Sequence, residues 1–114
     1  MTLVLHDTDF EFLHGDGPAL VELKGVRTMI GRGSQTIHVD AEITARKNGN
    51  DIISRRHAEI VRLNDGSYQI QDLGALNGTF VNSERITKKI LFNNDIVQFG
   101  GLSARPKGED QWSV

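Results

Sequence analysis

The sequence predicts an all-β fold, a two-sheet antiparallel β-sandwich whose functional loops gather at one end. Three observations carry that prediction. Short segments rich in β-formers recur along the chain, each ending near Gly, Asn, Asp or Ser. No window sustains apolar residues at the helical period. Two segments, "HAEIVRL" and "SYQIQDL", flank Asn64-Asp65-Gly66, a turn tripeptide, with Tyr68 and Ile70 alternating against Gln69 and Gln71.

In chain order, "LVL" at 3–5, "ALVEL" at 19–23 and "VRTMI" at 26–30 read as the first strands. The hairpin over 57–63 and 67–73 follows, and "TFV" at 79–81 and "DIVQF" at 95–99 come after it. The segment 105–114, which opens with the very polar "RPKGEDQ", reads as a final loop, a last strand or a tail. No internal repeat or low-complexity linker divides the chain, so 1–114 reads as a single domain with one core.

With 38 % apolar residues, 25 % charge and twelve glycines, the composition is that of a soluble globular protein rich in turns. No apolar run approaches the roughly 20 residues of a membrane span, so no membrane partner is expected. The opening "MTLVLHDTDFEF" carries acids where a secretory signal is basic, which suggests an intracellular chain. Absence of cysteine excludes disulfides, thiolate metal sites and cysteine nucleophiles. His6, His14, His38 and His57 lack metal-site spacing, and neither metal nor cofactor is expected.

A net charge of -2 hides an asymmetry. Residues 1–23 hold five acids and no base, whereas residues 24–62 hold eight bases against four acids. A duplex-binding domain would be more basic overall, with an element to fill a groove, so a small anionic ligand suits this balance better and direct nucleic-acid binding is not expected.

Three loop-like segments carry groups suited to an oxyanion: Gly31-Arg32-Gly33-Ser34, Ser54-Arg55-Arg56-His57 and Ala75-Leu76-Asn77-Gly78-Thr79. Arginine presents a planar fork of donors that matches phosphate oxygens, a serine hydroxyl adds a short donor, and an asparagine amide both donates and accepts. If strands ending at 30, starting at 57 and ending at 72 bring these loops to one end of the sandwich, they form a compact phosphate clamp.

The chain resembles the forkhead-associated (FHA) family of phosphothreonine-binding β-sandwiches, found in signalling and DNA-damage-response proteins. "IGRG" at 30–33 is similar to the family's Gly-Arg element, "SRRHAEI" at 54–60 to its Ser-x-x-His element and "DLGALNGTFVN" at 72–82 to its Asn-Gly-Thr element. "NNDIVQFGG" at 93–101 is similar to its late strand. The resemblance spans about residues 20–101, with all four elements in the family's order and spacing.

The resemblance implies a module that binds phosphothreonine-containing proteins or peptides without catalysis. It implies that Arg32 binds the phosphate, Ser54 donates its hydroxyl to a phosphate oxygen and Arg55 adds a second cationic contact. Asn77 would hydrogen-bond the ligand backbone, while Gly31, His57, Gly78 and Thr79 would shape the loops. Family members choose among ligands chiefly by the residue three places after the phosphothreonine, and here Ile52 and Leu76 are the candidates for reading it. By analogy the location is nuclear or cytoplasmic, with the nucleus favoured. Two departures stand out. Ala75 and Leu76 occupy positions where the family often has hydroxyl side chains, which removes one phosphate contact, and the common Asn-Gly turn is Asn82-Ser83 here.

Two other readings stay open on the residues alone. The sandwich could bind a partner through a sheet face or edge, independent of phosphate. Ser54 with His57 could serve as nucleophile and base, although no orienting carboxylate is identifiable. Gly31-Arg32-Gly33-Ser34 lacks the Gly-Lys-Ser/Thr ending and following helix of a nucleotide loop.

Overall fold

The computed structural model describes residues 1–5, 11–12, 20–23, 25–108 and 112. Ala19, Lys24, the acids Asp7, Asp9 and Asp16, and His6 and His14 lie outside the described residues. No helix occurs among the described residues, and none is long and apolar enough to cross a membrane.

One sheet contains β1 (Thr2–Leu5), β3 (Leu20–Glu22), β10 (Thr79–Val81), β11 (Glu84–Arg85), β13 (Val97–Phe99) and β14 (Leu102–Pro106), in the order β11-β10-β13-β14-β1-β3. The second contains β4 (Arg27–Gly31), β5 (Ala41–Glu42), β8 (Ala58–Arg62), β9 (Tyr68–Asp72) and β12 (Lys88–Leu91), ordered β12-β9-β8-β4-β5. A small sheet of β2 (Glu11–Phe12), β6 (Ala45–Lys47) and β7 (Asn50–Asp51) completes the structure.

Strand periodicity decides which residues fill the core. In the first sheet Leu3, Leu5, Val81, Val97, Phe99, Leu102 and Ala104 are buried, every second residue along each strand; in the second, Ile30, Ala58, Ile60, Ile70 and Leu91 are buried. The expected hairpin is β8–β9, in register Ile60↔Ile70. Its turn is built as its residues suggest: Gly66 N–H donates to Leu63 O at 2.9 Å, and Asp65 Oδ1 accepts the Ser67 backbone N–H at 2.9 Å. Ser67 holds the Asp65 carboxyl below the usual carboxylate range by hydrogen bonds from its side chain and backbone.

Some elements escape sequence patterning. β12 is a short edge strand whose "KKIL" shows no clean alternation. β14 lies between β13 and β1 in the sheet, so of the readings open for 105–114 a last strand is what Arg105 and Pro106 adopt. Pairing is antiparallel throughout the described strands except for β4–β5, a parallel pair of two residues. The Asn82-Ser83 corner between β10 and β11 has φ of 52° and 68°, so Ser83 takes up the left-handed conformation that glycine adopts more readily.

Beyond β14, Trp112 returns to the core with no exposed surface, and its indole N–H donates to Asp95 O at 2.8 Å. Its ring meets Tyr68 edge-on at 6.4 Å. Asp95 in turn accepts from Asn82 Nδ2 and Phe92 N–H, both at 2.8 Å, so one indole braces the 92–96 turn and the Asn82 corner together.

At the other end of the core His57 has no exposed surface. Its Nδ1 accepts the backbone N–H of Ser54 at 3.1 Å, which places the ring proton on Nε2, where it is donated to Gly78 O at 2.8 Å. Phe99 packs against it edge-on at 5.9 Å. Burial pushes the imidazole below its ordinary value near 6.5, opposed in part by the Gly78 carbonyl and the Asp72 carboxylate.

Two predictions follow from these buried anchors. Trp112→Ala should cost about 3–5 kcal/mol, read as a melting temperature lowered by more than about 10 °C, whereas Trp112→Phe, losing mainly one hydrogen bond, should cost only about 1 kcal/mol beyond its packing change. His57 has a folded-state value below its unfolded one, so its contribution to stability is complete above about pH 6.5 and is lost as pH falls and the unfolded chain takes up the proton first. Thermal melts from about pH 7.5 to about pH 5 should show falling stability, with a shallower fall in His57→Asn, which has no proton to gain.

Candidate functional site

The strand ends deliver the three loops to one place. β4 leads into Gly31 and Arg32, β8 begins directly after Ser54-Arg55-Arg56-His57, and the segment after β9 carries Ala75 to Gly78. Backbone hydrogen bonds then tie the first two loops: Arg32 N–H to Ser54 O at 2.9 Å and Gly33 N–H to Arg55 O at 3.0 Å. Gly31 is what permits this approach, since a Cβ there would lie 2.1 Å from Arg55 O. The third loop is pinned from inside. Asp72 accepts Thr79 Oγ1–H at 2.7 Å and Gly74 N–H at 3.0 Å, Thr79 being buried, and Gly78 O receives Gly100 N–H at 2.8 Å as well as His57 Nε2–H. Gly78 adopts φ 79°, a conformation that a side chain would strain.

Each candidate clamp side chain is held at one position and open at others. Arg32 Nε–H donates to Ile53 O at 3.0 Å, which aims the guanidinium and leaves its two terminal amino groups for a ligand. Ser54 Oγ accepts Leu76 N–H at 3.1 Å, so the oxygen is fixed while its own proton has no acceptor among the described residues. Asn77 Nδ2 donates to Ile52 O at 3.1 Å, leaving Oδ1 and a second N–H. Arg55 is exposed, with no side-chain partner among the described residues, and can swing toward an anion; Arg56 is likewise exposed.

Ile52 is half-buried against the core and its carbonyl holds Asn77, while Leu76, whose N–H bonds Ser54 Oγ, is 86 % exposed. Ala75 is buried, and its methyl group offers no hydroxyl where the family often has one. The nucleophile–base reading loses its geometry: His57 bonds the Ser54 backbone N–H rather than its hydroxyl, and both ring nitrogens are occupied in the core.

Sequence reasoning missed Asp72 as the brace of the third loop and Asp51 beside Arg32. An Asp two residues before Gly74 is an Asx-turn signal and could have found the first. Asp51 comes to Arg32 only through the β6–β7 hairpin, with Oδ2 3.8 Å from Arg32 Nε and Oδ1 3.1 Å from Arg46 Nε. A cavity of about 370 Å³ is lined by residues 32–39 and Glu42, and neither Ser54 nor Asn77 lines it.

Comparison with known proteins places this geometry in a family. The glycogen accumulation regulator GarA of Mycolicibacterium smegmatis is 45 % identical over 65 residues, covering 54 % of this chain and 40 % of the relative. The oxoglutarate dehydrogenase inhibitor of Corynebacterium diphtheriae is 39 % identical over 79 residues, covering 67 % of this chain and 52 % of the relative. The chain thus matches about half or less of the length of these relatives. A structure solved in work on phosphothreonine-dependent FHA domain interactions superposes with a TM-score of 0.63 at 26 % identity, over 94 % of this chain and 96 % of the other. The FHA domain family model matches residues 28–100, from β4 through the end of β13, which takes in all three loops. The chain belongs to the FHA domain family.

Proposed function

We propose that this chain is a phosphothreonine-dependent interaction module in which Arg32, Ser54 and Arg55 receive the phosphate and Asn77 holds the ligand backbone. One observation carries the reading: Arg32, Ser54 and Asn77 converge with one hydrogen-bonding position each engaged and the others open. A phosphothreonine brings roughly -1.5 to -2 charge and strong acceptor oxygens, so preformed donors suffice and no covalent step is needed. The chain acts as a single binding domain in this reading, an interaction module rather than an enzyme.

The relatives named as a glycogen accumulation regulator and an oxoglutarate dehydrogenase inhibitor are bacterial. They support a regulatory protein that engages a phosphorylated partner in a bacterial cell. They give no support to the nuclear location or the DNA-damage-response role that family analogy favoured, and we set both aside.

Ile52 and Leu76 are the side chains that would meet the third residue after the phosphothreonine. Both are apolar, and an aliphatic ligand residue would bury area against them at about 25 cal/mol per Å².

Arg32→Ala should weaken binding of a phosphothreonine peptide at least roughly thirtyfold, because truncating one partner of a desolvated charge pair costs about 2–5 kcal/mol and about 1.4 kcal/mol is tenfold. Calorimetry on the folded variant checks this, and near wild-type affinity would remove Arg32 from the clamp. Across peptides that differ only at the third residue after the phosphothreonine, Ile, Leu or Val should bind at least about threefold more tightly than Ala. A flat series would reject the apolar subsite.

A further inference from the structure

Asp51 ends β7 between two arginines. Its Oδ1 accepts a hydrogen bond from Arg46 Nε at 3.1 Å, across the β6–β7 register that pairs the two residues, and its Oδ2 lies 3.8 Å from Arg32 Nε. The side chains of Arg32, Asp51 and Arg46 are 30 %, 35 % and 44 % exposed. Ion pairs this accessible contribute little to stability, so the fold alone does not account for the trio. Nor does aiming Arg32 require Asp51, because Arg32 Nε–H already has Ile53 O at the shorter distance of 3.0 Å. What remains is its charge: two guanidinium groups at the edge of the clamp share one carboxylate.

The position of that carboxylate gives it a consequence for the ligand. Asp51 immediately precedes Ile52, whose backbone N–H is tied to Ala45 O at 3.1 Å and whose carbonyl holds Asn77. Asp51 thus borders the candidate clamp through its chain neighbour Ile52, which holds Asn77, and through Arg32. We propose that Asp51 is a specificity-determining residue that turns away acidic ligand side chains near the phosphothreonine, by repelling them and by keeping Arg46 occupied. This rests on the phosphothreonine reading above. An aspartate in the ligand would meet a like charge and find the neighbouring guanidinium engaged, whereas an aliphatic side chain is indifferent to both. The phosphate is not excluded in the same way, since the terminal amino groups of Arg32 stay open to it.

The test uses fluorescence anisotropy with two short alanine-rich phosphothreonine peptides that differ only in Leu or Asp three places after the phosphothreonine. Their dephosphorylated forms serve as controls. Because both carry the same phosphate, the ratio of their affinities isolates the side chain. Wild-type protein should favour the Leu peptide by about tenfold, Asp51→Asn should narrow that ratio at least about fivefold by strengthening the Asp peptide, and Asp51→Asn/Arg46→Ala should return most of the preference. An unchanged ratio in Asp51→Asn overturns the assignment, and a narrowed ratio that persists in the double variant overturns the part given to Arg46. If wild-type protein binds neither phosphopeptide more tightly than its dephosphorylated form, the phosphothreonine reading fails and this inference falls with it. The failures are distinguishable, since only the last removes the difference between phosphorylated and dephosphorylated peptides.

Discussion

The buried His57 ring ties the loop before β8 to the loop before β10, and it can do so in only one protonation state. With Nδ1 accepting from Ser54 N–H and Nε2 donating to Gly78 O, the ring must be neutral and carry its proton on Nε2. Its backbone adds two more ties, N–H to Ile30 O at 2.9 Å and carbonyl to Leu73 N–H at 3.0 Å. One buried residue thus links β4, the loop before β8, the end of β9 and the loop before β10, with Phe99 of β13 against its face. Burial favours the neutral ring, and the neutral ring alone satisfies both loops. The same desolvation that lowers its basicity also strengthens its hydrogen bonds.

The candidate clamp inherits its order from that link. Ser54 and Gly78 are held through the ring, Ser54 Oγ then receives Leu76 N–H, and the next residue, Asn77, reaches back to Ile52 O. Arg32 is drawn in separately, through the Gly31 contact that lets two backbones touch and through Ile53 O. An arginine free in solution would lose on the order of 2 kcal/mol of rotamer entropy on gripping a phosphate. Here much of that ordering accompanies folding, so less of it opposes ligand capture. Arg55 is the contrast, exposed and without a side-chain partner among the described residues, so it retains that freedom in the folded chain.

Charge around the clamp is distributed rather than massed. The middle of the sequence, counted along the chain, is locally basic, with eight bases against four acids over 24–62. In the structure Arg46 faces Asp51, Arg32 lies near the same carboxylate, and Arg27 pairs with Glu59 at 3.3 Å on the outer face of the second sheet. Arg55 and Arg56, exposed and without a side-chain partner among the described residues, follow Ser54 directly in the chain. A local field of this kind suits one phosphate better than a polyanion.

Local sequence determined the strands with clear alternation, the Asn64-Asp65-Gly66 turn, and the presence of side chains suited to an oxyanion in three separate loops. Those features depend on neighbours within a few residues, where period-two burial and turn chemistry act. The architectural parts assigned to Gly31, His57, Gly78 and Thr79 were legible only through the family resemblance, because nothing local tells a core histidine from a ligand. Tertiary structure decided the rest. β14 is a strand because β13 and β1 lie on either side of it, and Trp112 is core because Asp95 O, 17 residues earlier, meets its indole. Asp51 becomes a neighbour of Arg32 only after the β6–β7 hairpin crosses the residues between them. Contacts between residues far apart in sequence carry no local periodicity, so only the folded chain could decide which of these side chains come together.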